Sequence, residues 1–244
     1  MIVGFVGPEG GGKTASMTWA ALQAWSSGRN CYAFSGYEAY FHDKGDNGDI
    51  KESYTITQEV GPAEWAKVDE DLLNNCFLAV DEIQQFFGAE KWMGLLDRIF
   101  SWICQQRRKL NMTIAYTTHN LMWINNRIRN ETHMVIYCKD LYWDPYWQDK
   151  QPEKGTLVQW DCYDHLGLFG HPREQIASIR VPIKQLWDCF ESYRKVNVWD
   201  GLTQAYLKNR PRVEIDLGAP AYDSPYAGLP DDTQDIVEFM RGAA

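Results

Sequence analysis

Near its start the chain reads Gly7-Pro8-Glu9-Gly10-Gly11-Gly12-Lys13-Thr14, after an apolar run over residues 1–6 and before a helix-like segment over residues 15–22. This matches the pattern G-x-x-x-x-G-K-[ST] at a strand-to-helix turn, where backbone N–H groups and the amino end of a helix can surround a phosphate. The stretch therefore predicts an α/β fold that binds ATP and Mg²⁺. A glycine-rich turn that precedes a lysine by chance is the alternative.

The residues predicted to bind the nucleotide all lie in this loop or directly after it. Lys13 is expected to reach the β- and γ-phosphates as a flexible cation, and the hydroxyl of Thr14 to bind Mg²⁺. The complete predicted set is Gly7, Pro8, Glu9, Gly10, Gly11, Gly12, Lys13, Thr14 and Ala15.

A second signal is the apolar run Cys76-Phe77-Leu78-Ala79-Val80, which ends in Asp81 and Glu82. A continuous apolar run is typical of a strand buried on both faces of a parallel sheet. We assign Asp81 to Mg²⁺, directly or through water, and Glu82 to orienting and deprotonating the attacking water. A strand that ends in a solvated acidic pair is the alternative.

A third predicted core strand, residues 112–117, ends in Thr118-His119-Asn120. Parallel strands direct their carboxyl ends towards the ligand crevice, so a polar side chain there can contact the γ-phosphate. His119 or Thr118 is the candidate for this sensor role. A His119 that only satisfies hydrogen bonds of its loop is the alternative.

Composition sets the broad class of the protein. The chain has 244 residues, of which 45% are hydrophobic, and this suits one α/β domain with a substantial core. The net charge of −9 argues against a uniformly basic nucleic-acid coat, although a few cations lining a pore remain compatible with it. The six cysteines show no C-x-x-C spacing, which favours buried free thiols in a reducing cytoplasm.

The sequence predicts one domain over residues 1–208 and a Pro-rich extended tail over residues 209–244. A short helix is expected at residues 231–241, and we hypothesise that the tail serves assembly or partner binding. No run of about 18 apolar residues and no basic leader are present, so neither a membrane span nor a signal peptide is expected. Other predicted helices cover residues 15–26, 62–69, 90–109 and 183–193, and other predicted strands cover residues 31–34, 54–57, 133–138 and 156–163.

The motifs together resemble the FtsK/HerA branch of P-loop ATPases. The resemblance rests on residues 7–14, on Val80-Asp81-Glu82, on Arg107-Arg108-Lys109 and on the strand that ends in Thr118-His119. Within the branch, the chain is similar to viral genome-packaging ATPases and to the zonular occludens toxin and filamentous-phage assembly proteins, over roughly residues 1–140. His119 stands where that family usually has glutamine. The resemblance implies a RecA-like domain with a central, mostly parallel sheet flanked by helices.

The resemblance also implies partners. The family forms rings, hexameric or pentameric, that move DNA through their centre, so DNA, further copies of the chain and a capsid or portal vertex are the expected partners. The expected location is the host cytoplasm, with association with the virion as a further option. An arginine of a neighbouring subunit commonly stabilises the transition state. Arg108 and then Arg107 are the first candidates, with Arg127 and Arg129 in reserve, and a solvated surface cation is the alternative for each.

Three functions follow from these patterns. The first is an ATP-hydrolysing motor for viral genome packaging, which the lack of a membrane span in the sequence favours. The second is an assembly ATPase that works on DNA during phage extrusion. The third, from another class, is a nucleotide-dependent switch or small-molecule kinase, although the sequence contains no Arg-rich lid.

Overall fold

The computed structural model describes residues 1–34, 36–44, 49–60, 73–88, 95–147, 150 and 153–190. The strands in these residues are β1 Ile2–Val6, β2 Cys31–Phe34, β3 Tyr40–Lys44, β4 Ile50–Thr55, β5 Gln58–Val60, β6 Phe77–Val80, β7 Thr113–Thr118, β8 Met134–Asp140, β9 Leu157–Asp164 and β10 Gln175–Pro182. The helices in them are α1 Lys13–Ser26, α2 Gln84–Phe87, α3 Leu95–Gln106 and α4 Asn126–Glu131, with 3-10 helices at Leu121–Trp123, Leu141–Trp143 and Lys184–Cys189.

Eight strands form one sheet in the order β10-β9-β8-β1-β7-β6-β2-β5. The six strands from β8 to β5 in this order run parallel, and β9 and β10 continue the sheet antiparallel. β7 lies between β1 and β6, so the strands that end before the glycine-rich loop, the acidic pair and His119 end at one edge of the sheet. The predicted α/β class with a mostly parallel sheet is confirmed.

The central strands are buried on both faces because helices cover them. All residues of β1 and β6 are buried, which agrees with their continuous apolar sequence. Met17 of α1 packs with Phe5 on one face, and Phe100 of α3 packs with Ile2 on the other. β9 alternates between buried and partly exposed residues, as expected where only one face of an antiparallel strand is covered.

Hydrogen bonds to Ser16 fix α1 to the antiparallel part of the sheet. The Ser16 hydroxyl donates to the Gly12 carbonyl at 2.7 Å and accepts a hydrogen bond from Trp160 Nε1 at 2.8 Å. The Trp160 ring also packs edge-to-face against Trp19, with ring centroids 5.3 Å apart. The start of α1, which follows the glycine-rich loop, therefore has a fixed position relative to β9.

Most predicted elements occur with shifted bounds. The predicted helix 15–26 is α1, which begins two residues earlier. In its described part, the predicted helix 90–109 is helical over Leu95–Gln106. The predicted strand 54–57 is confirmed only at residues 54 and 55, because β4 ends at Thr55 and β5 begins at Gln58. Between these strands, the Ile56 N–H donates to the Ala39 carbonyl at 2.9 Å, next to the Tyr40–Thr55 pair of β3 and β4.

Two segments of the later chain differ from the sequence expectations. Strand β10 was not predicted, because an exposed edge strand lacks the apolar pattern of a buried one. The predicted helix 183–193 is a 3-10 helix, Lys184–Cys189, in its described part. The predicted helix 62–69, the tail 209–244 and its helix 231–241 lie outside the described residues.

The cysteine prediction is confirmed: all six are buried and free. Among the described residues, no helix combines the length and the apolar character that a membrane crossing requires.

Candidate nucleotide-binding site

The glycine-rich loop between β1 and α1 needs its glycines for steric reasons. Gly12 precedes α1 with φ 83°, a conformation that side chains disfavour, and a Cβ there would lie 2.4 Å from Val158 Cγ2. A Cβ on Gly7 would lie 2.4 Å from the Cys138 carbonyl oxygen. The loop therefore lies directly against β8 and β9, and only glycine fits at these two positions.

Lys13, the first residue of α1, lies under this loop and is 5% exposed. Its Nζ donates to the Pro8 carbonyl at 2.9 Å and lies 3.4 Å from His119 Nδ1. Burial lowers the pKa of the Lys13 ammonium, and the carboxylates of Glu82 and Asp81 oppose this shift. The cation thus lies between the loop and the ends of β6 and β7, where phosphates would be bound.

Thr14 and Asp81 place two oxygen atoms side by side. Thr14 Oγ1 donates to Asp81 Oδ1 at 3.1 Å, and Thr117 Oγ1 donates to the same oxygen at 2.6 Å. Burial raises the pKa of Asp81, while the hydrogen bonds from Thr117 and Thr14 lower it. Hydroxyl and carboxylate oxygens are ligands that suit Mg²⁺, so these residues fit the ion.

The described residues contain no cluster of three or more His, Cys, Asp or Glu side chains that could hold a metal by itself. Mg²⁺ commonly binds through one or two protein oxygens together with substrate phosphates and water. The pair Thr14 and Asp81 agrees with that mode of binding.

Glu82 has an unusual backbone conformation, with φ 48°. Left-handed conformations at residues other than glycine are uncommon and tend to occur at functional sites. The Glu82 N–H donates to Thr117 Oγ1 at 2.8 Å, and its carboxylate accepts a hydrogen bond from the Gln84 side chain. These contacts hold the carboxylate beside His119, whose Nε2 lies 3.4 Å from Glu82 Oε2.

His119 connects Lys13 to Glu82. Because the Lys13 ammonium can only donate, His119 Nδ1 must accept, and in the neutral ring the proton is then on Nε2, which faces Glu82. The other sensor candidate, Thr118, is fully buried and donates to the Asn120 carbonyl at 3.1 Å. The structure therefore brings His119, rather than the Thr118 hydroxyl, to the predicted lysine and carboxylate.

A cavity of about 780 Å³ opens over these residues. This is within the size range of small-molecule sites. Part of its wall was predicted from the sequence, namely Glu9, Gly10, Gly12, Lys13, Thr14, Ala15, Glu82 and His119. The remaining wall was not predicted: Lys154, Gly155, Ile183, Trp187 and Phe190.

Arg107 and Arg108 lie away from this cavity in their own chain. Arg107 is 12% exposed and forms an ion pair with Glu131 at 2.8 Å. Arg107 Nη2 lies 3.1 Å from His133 Nε2, and His133 Nδ1 accepts a hydrogen bond from the Ile2 N–H at 3.2 Å. Arg107 is therefore near the amino end of β1, opposite the glycine-rich loop. Arg108 is exposed and forms no ion pair with any described residue. Of the two, Arg108 is therefore the more available to a neighbouring subunit.

The reserve candidates lie around α4. Arg127 is exposed, and its N–H donates to Asn125 Oδ1 at 2.9 Å at the start of the helix. Arg129 donates to Met122 Sδ at 3.0 Å and to the Asn126 side chain. Neither lines the cavity. A role for any of the four arginines in a neighbouring subunit stays a prediction.

Thr117 is a site residue that the sequence analysis missed, although its hydroxyl at the end of a buried strand was a usable signal. Replacing Thr117 with valine keeps the shape but removes the hydrogen bonds to Asp81 and to the Glu82 N–H. We expect the free energy of unfolding to fall by about 1–3 kcal/mol and ATP turnover to fall as well, because a buried N–H loses its acceptor and both carboxylates lose a contact that orients them. Urea unfolding and steady-state hydrolysis measure the two effects.

Thr132→Val is the matched control. Thr132 is also a fully buried threonine with two hydrogen bonds, to Tyr116 and to the Ile128 carbonyl, but it does not line the cavity. A similar loss of stability with normal turnover is expected for it. Equal turnover in the Thr117 variant and the wild-type protein would show that Thr117 does not orient the acidic pair.

Comparisons with known proteins agree with the resemblance predicted from the sequence. No curated protein matches the chain. Similar solved structures include the N-terminal domain of zonular occludens toxin from Neisseria meningitidis, with 13% identity and a TM-score of 0.49 over 78% of this chain and 98% of that one. They also include the genome packaging NTPase B204 of Sulfolobus turreted icosahedral virus 2 in complex with sulfate, with 13% identity and a TM-score of 0.44 over 73% of this chain and 94% of that one.

The family assignment comes from the sequence profile. The profile of the family described as zonular occludens toxin (Zot) matches residues 1–144, more than half of the chain. Lys13, Thr14, Asp81, Glu82 and His119 all lie within the matched residues. The chain therefore belongs to the zonular occludens toxin family.

Proposed function

We propose that the protein is a Mg²⁺-dependent ATPase whose hydrolysis cycle drives DNA translocation. The observation that carries the enzymatic part is the convergence of Lys13, Thr14, Glu82 and His119 at one cavity. Asp81 lies directly behind this wall, where it accepts a hydrogen bond from Thr14. A phosphate-binding cation, metal ligands and a carboxylate for water are the parts that phosphoryl transfer to water requires.

Each residue has a separate role in the proposed hydrolysis. Lys13 contacts the β- and γ-phosphates, and Thr14 and Asp81 hold the metal ion. Bound Mg²⁺ neutralises charge that develops on the phosphate oxygens. The Glu82 carboxylate accepts a proton from the attacking water, and the Nε2–H of His119 orients that carboxylate.

His119 also couples the two ends of the reaction. Its Nδ1 lies beside the Lys13 ammonium, which binds the γ-phosphate in this proposal. Loss of that phosphate after hydrolysis changes the partner of Lys13 and therefore the position of His119. In this proposal, the position of His119 therefore depends on whether the γ-phosphate is present, which is its sensor role.

The ring and the DNA substrate are proposed from the family. An exposed Arg108 on one subunit is available to a neighbour's site, as a ring would require. The match to the zonular occludens toxin family over residues 1–144 favours DNA extrusion in phage assembly over genome packaging, which was the first choice from the sequence. A packaging motor is the second candidate for the same site.

The test is steady-state ATP hydrolysis by the full chain with and without DNA, together with the mass in solution in Mg²⁺ and a non-hydrolysable ATP analogue. DNA-stimulated turnover by a ring-sized oligomer is the expected result. A monomer that binds ATP, turns it over slowly and does not respond to DNA would instead support a nucleotide-dependent switch or a kinase. Single- and double-stranded DNA are compared in parallel.

A further inference from the structure

We propose that Trp187 and Lys154 complete the ATP site, with the Trp187 indole stacking on the nucleotide base and the Lys154 ammonium contacting the phosphates. This inference rests on the proposed binding of ATP. It assigns a function to the part of the cavity wall that the sequence motifs do not supply.

The antiparallel strands bring both residues to the edge of the sheet that carries the glycine-rich loop. β8 ends at Asp140, which pairs with Val158 near the start of β9, and Pro182 at the end of β10 pairs with Leu157. The residues just before β9 and just after β10 are therefore neighbours of the loop. A Cβ added to Gly12 would lie 3.3 Å from Ile183 Cδ1, so the residue after β10 lies against the loop.

Trp187 is held in place although it is 44% exposed. Its Nε1 donates to the Gly155 carbonyl at 3.0 Å, and the Gly155 N–H in turn donates to Asp140 Oδ2 at 2.8 Å. Leu186 and Cys189, in the same 3-10 helix, are buried and anchor the segment. A fixed aromatic ring that lines a cavity and keeps much of its surface accessible is suited to stacking on a base.

Two apolar side chains beside Trp187 also suit a base, and the Lys184 ammonium lies 5.9 Å from the centre of the Trp187 ring. Ile183 and Phe190 line the cavity on the same side. Glu82 and His119 lie on the other side of the loop, because β6 and β7 are on the opposite side of β1 from β9 and β10. The cavity therefore has a polar end for hydrolysis and an apolar end for the base, with the glycine-rich loop between them.

Lys154 lies over the loop between these two ends. Its Cε lies 3.9 Å from the position that a Cβ on Gly10 would take. The neighbouring Lys184 forms an ion pair with Glu153 at 2.6 Å, whereas Lys154 forms none with a described carboxylate and has its Nζ 5.1 Å from the centre of the Trp143 ring. An exposed ammonium on a flexible stem beside a phosphate-binding loop can contact phosphate as a point charge.

The test is the affinity of full-length variants for ATP and for inorganic tripolyphosphate, measured by calorimetry. Trp187→Leu should weaken ATP binding about tenfold and leave tripolyphosphate binding unchanged, because only the base contact is lost. Trp187→Phe should stay close to wild type, since it keeps an aromatic face. Lys154→Gln should weaken both ligands.

Trp25→Leu is the matched control, because Trp25 is also partly exposed, at 37%, and does not line this cavity. It should bind both ligands as the wild type does, and thermal melting checks that every variant is folded. Unchanged ATP affinity in Trp187→Leu would overturn the stacking role. Equal losses in the Leu and Phe variants would also overturn it, because they would assign the effect to the hydrogen bond with Gly155.

The controls separate this inference from the proposed function. If the wild-type protein does not bind ATP, the proposed function fails. If Lys13→Ala loses ATP binding and Trp187→Leu keeps it, the ATP site stands and only the inference about Trp187 is wrong.

Discussion

Replacing Glu82 with glutamine should lower ATP turnover by about 100- to 10,000-fold, the range that a general base contributes, while ATP affinity stays close to that of the wild type. The glutamine side chain keeps nearly the same size and can still contact His119 and Gln84, but it cannot take a proton from water. ATP binding should be spared because Lys13 and the glycine-rich loop carry it in the proposed function. Single-turnover hydrolysis and equilibrium binding, measured on the same sample, separate the two quantities.

Glu174→Gln is the matched control for this experiment. Glu174 is an exposed carboxylate that pairs with His171, and it does not line the cavity. Its variant should hydrolyse ATP at the wild-type rate. If Glu82→Gln also did so, a group other than Glu82 would have to activate water.

Replacing Lys13 with alanine should weaken ATP binding by about 10- to 100-fold, the range expected for loss of a hydrogen bond to a charged group, and should abolish most of the turnover. The effect on both quantities distinguishes Lys13 from Glu82. In the described part of the site, the Lys13 ammonium is the only cation between the Pro8 carbonyl and His119. The alanine variant lacks this cation, so both binding and turnover should fall.

Lys13→Met separates charge from packing, because methionine keeps an unbranched stem in the narrow space that this 5%-exposed residue occupies. We expect the methionine variant to bind ATP as weakly as the alanine variant. Wild-type affinity in Lys13→Met would show that the ammonium does not contact the phosphates. Melting temperatures of both variants without nucleotide report any change in stability from the removal of a cation beside Asp81 and Glu82.

Local motifs predicted the polar end of the cavity because each of its residues belongs to a short sequence pattern. The glycine-rich loop, the acidic pair after β6 and His119 after β7 each follow an apolar strand, and parallel strands place such ends at one edge. No measurement tests the chemical roles assigned to these residues, so those roles stay predictions. The structure adds that Lys13, Glu82 and His119 line one cavity.

The apolar end of the cavity could not be predicted because its contacts join distant parts of the chain. Trp160 meets Ser16 across 144 positions, and Trp187 meets Gly155 across 32. β10 is an exposed edge strand, so it lacks the apolar periodicity that revealed β1, β6 and β7. Without β10, the sequence offered no reason to place Trp187 beside the glycine-rich loop.

The reversal of chain direction at β9 has a consequence for how such a protein can be altered. The phosphate-binding and acidic groups are carried by the parallel strands, whereas Trp187 and Lys154 are carried by the ends of the two antiparallel strands. If Trp187 and Lys154 have the roles proposed above, substitutions in the second group can change which nucleotide is accepted while the first group keeps its geometry. Evolution or protein engineering could in this way change the nucleotide that is bound and leave the residues proposed for hydrolysis unchanged.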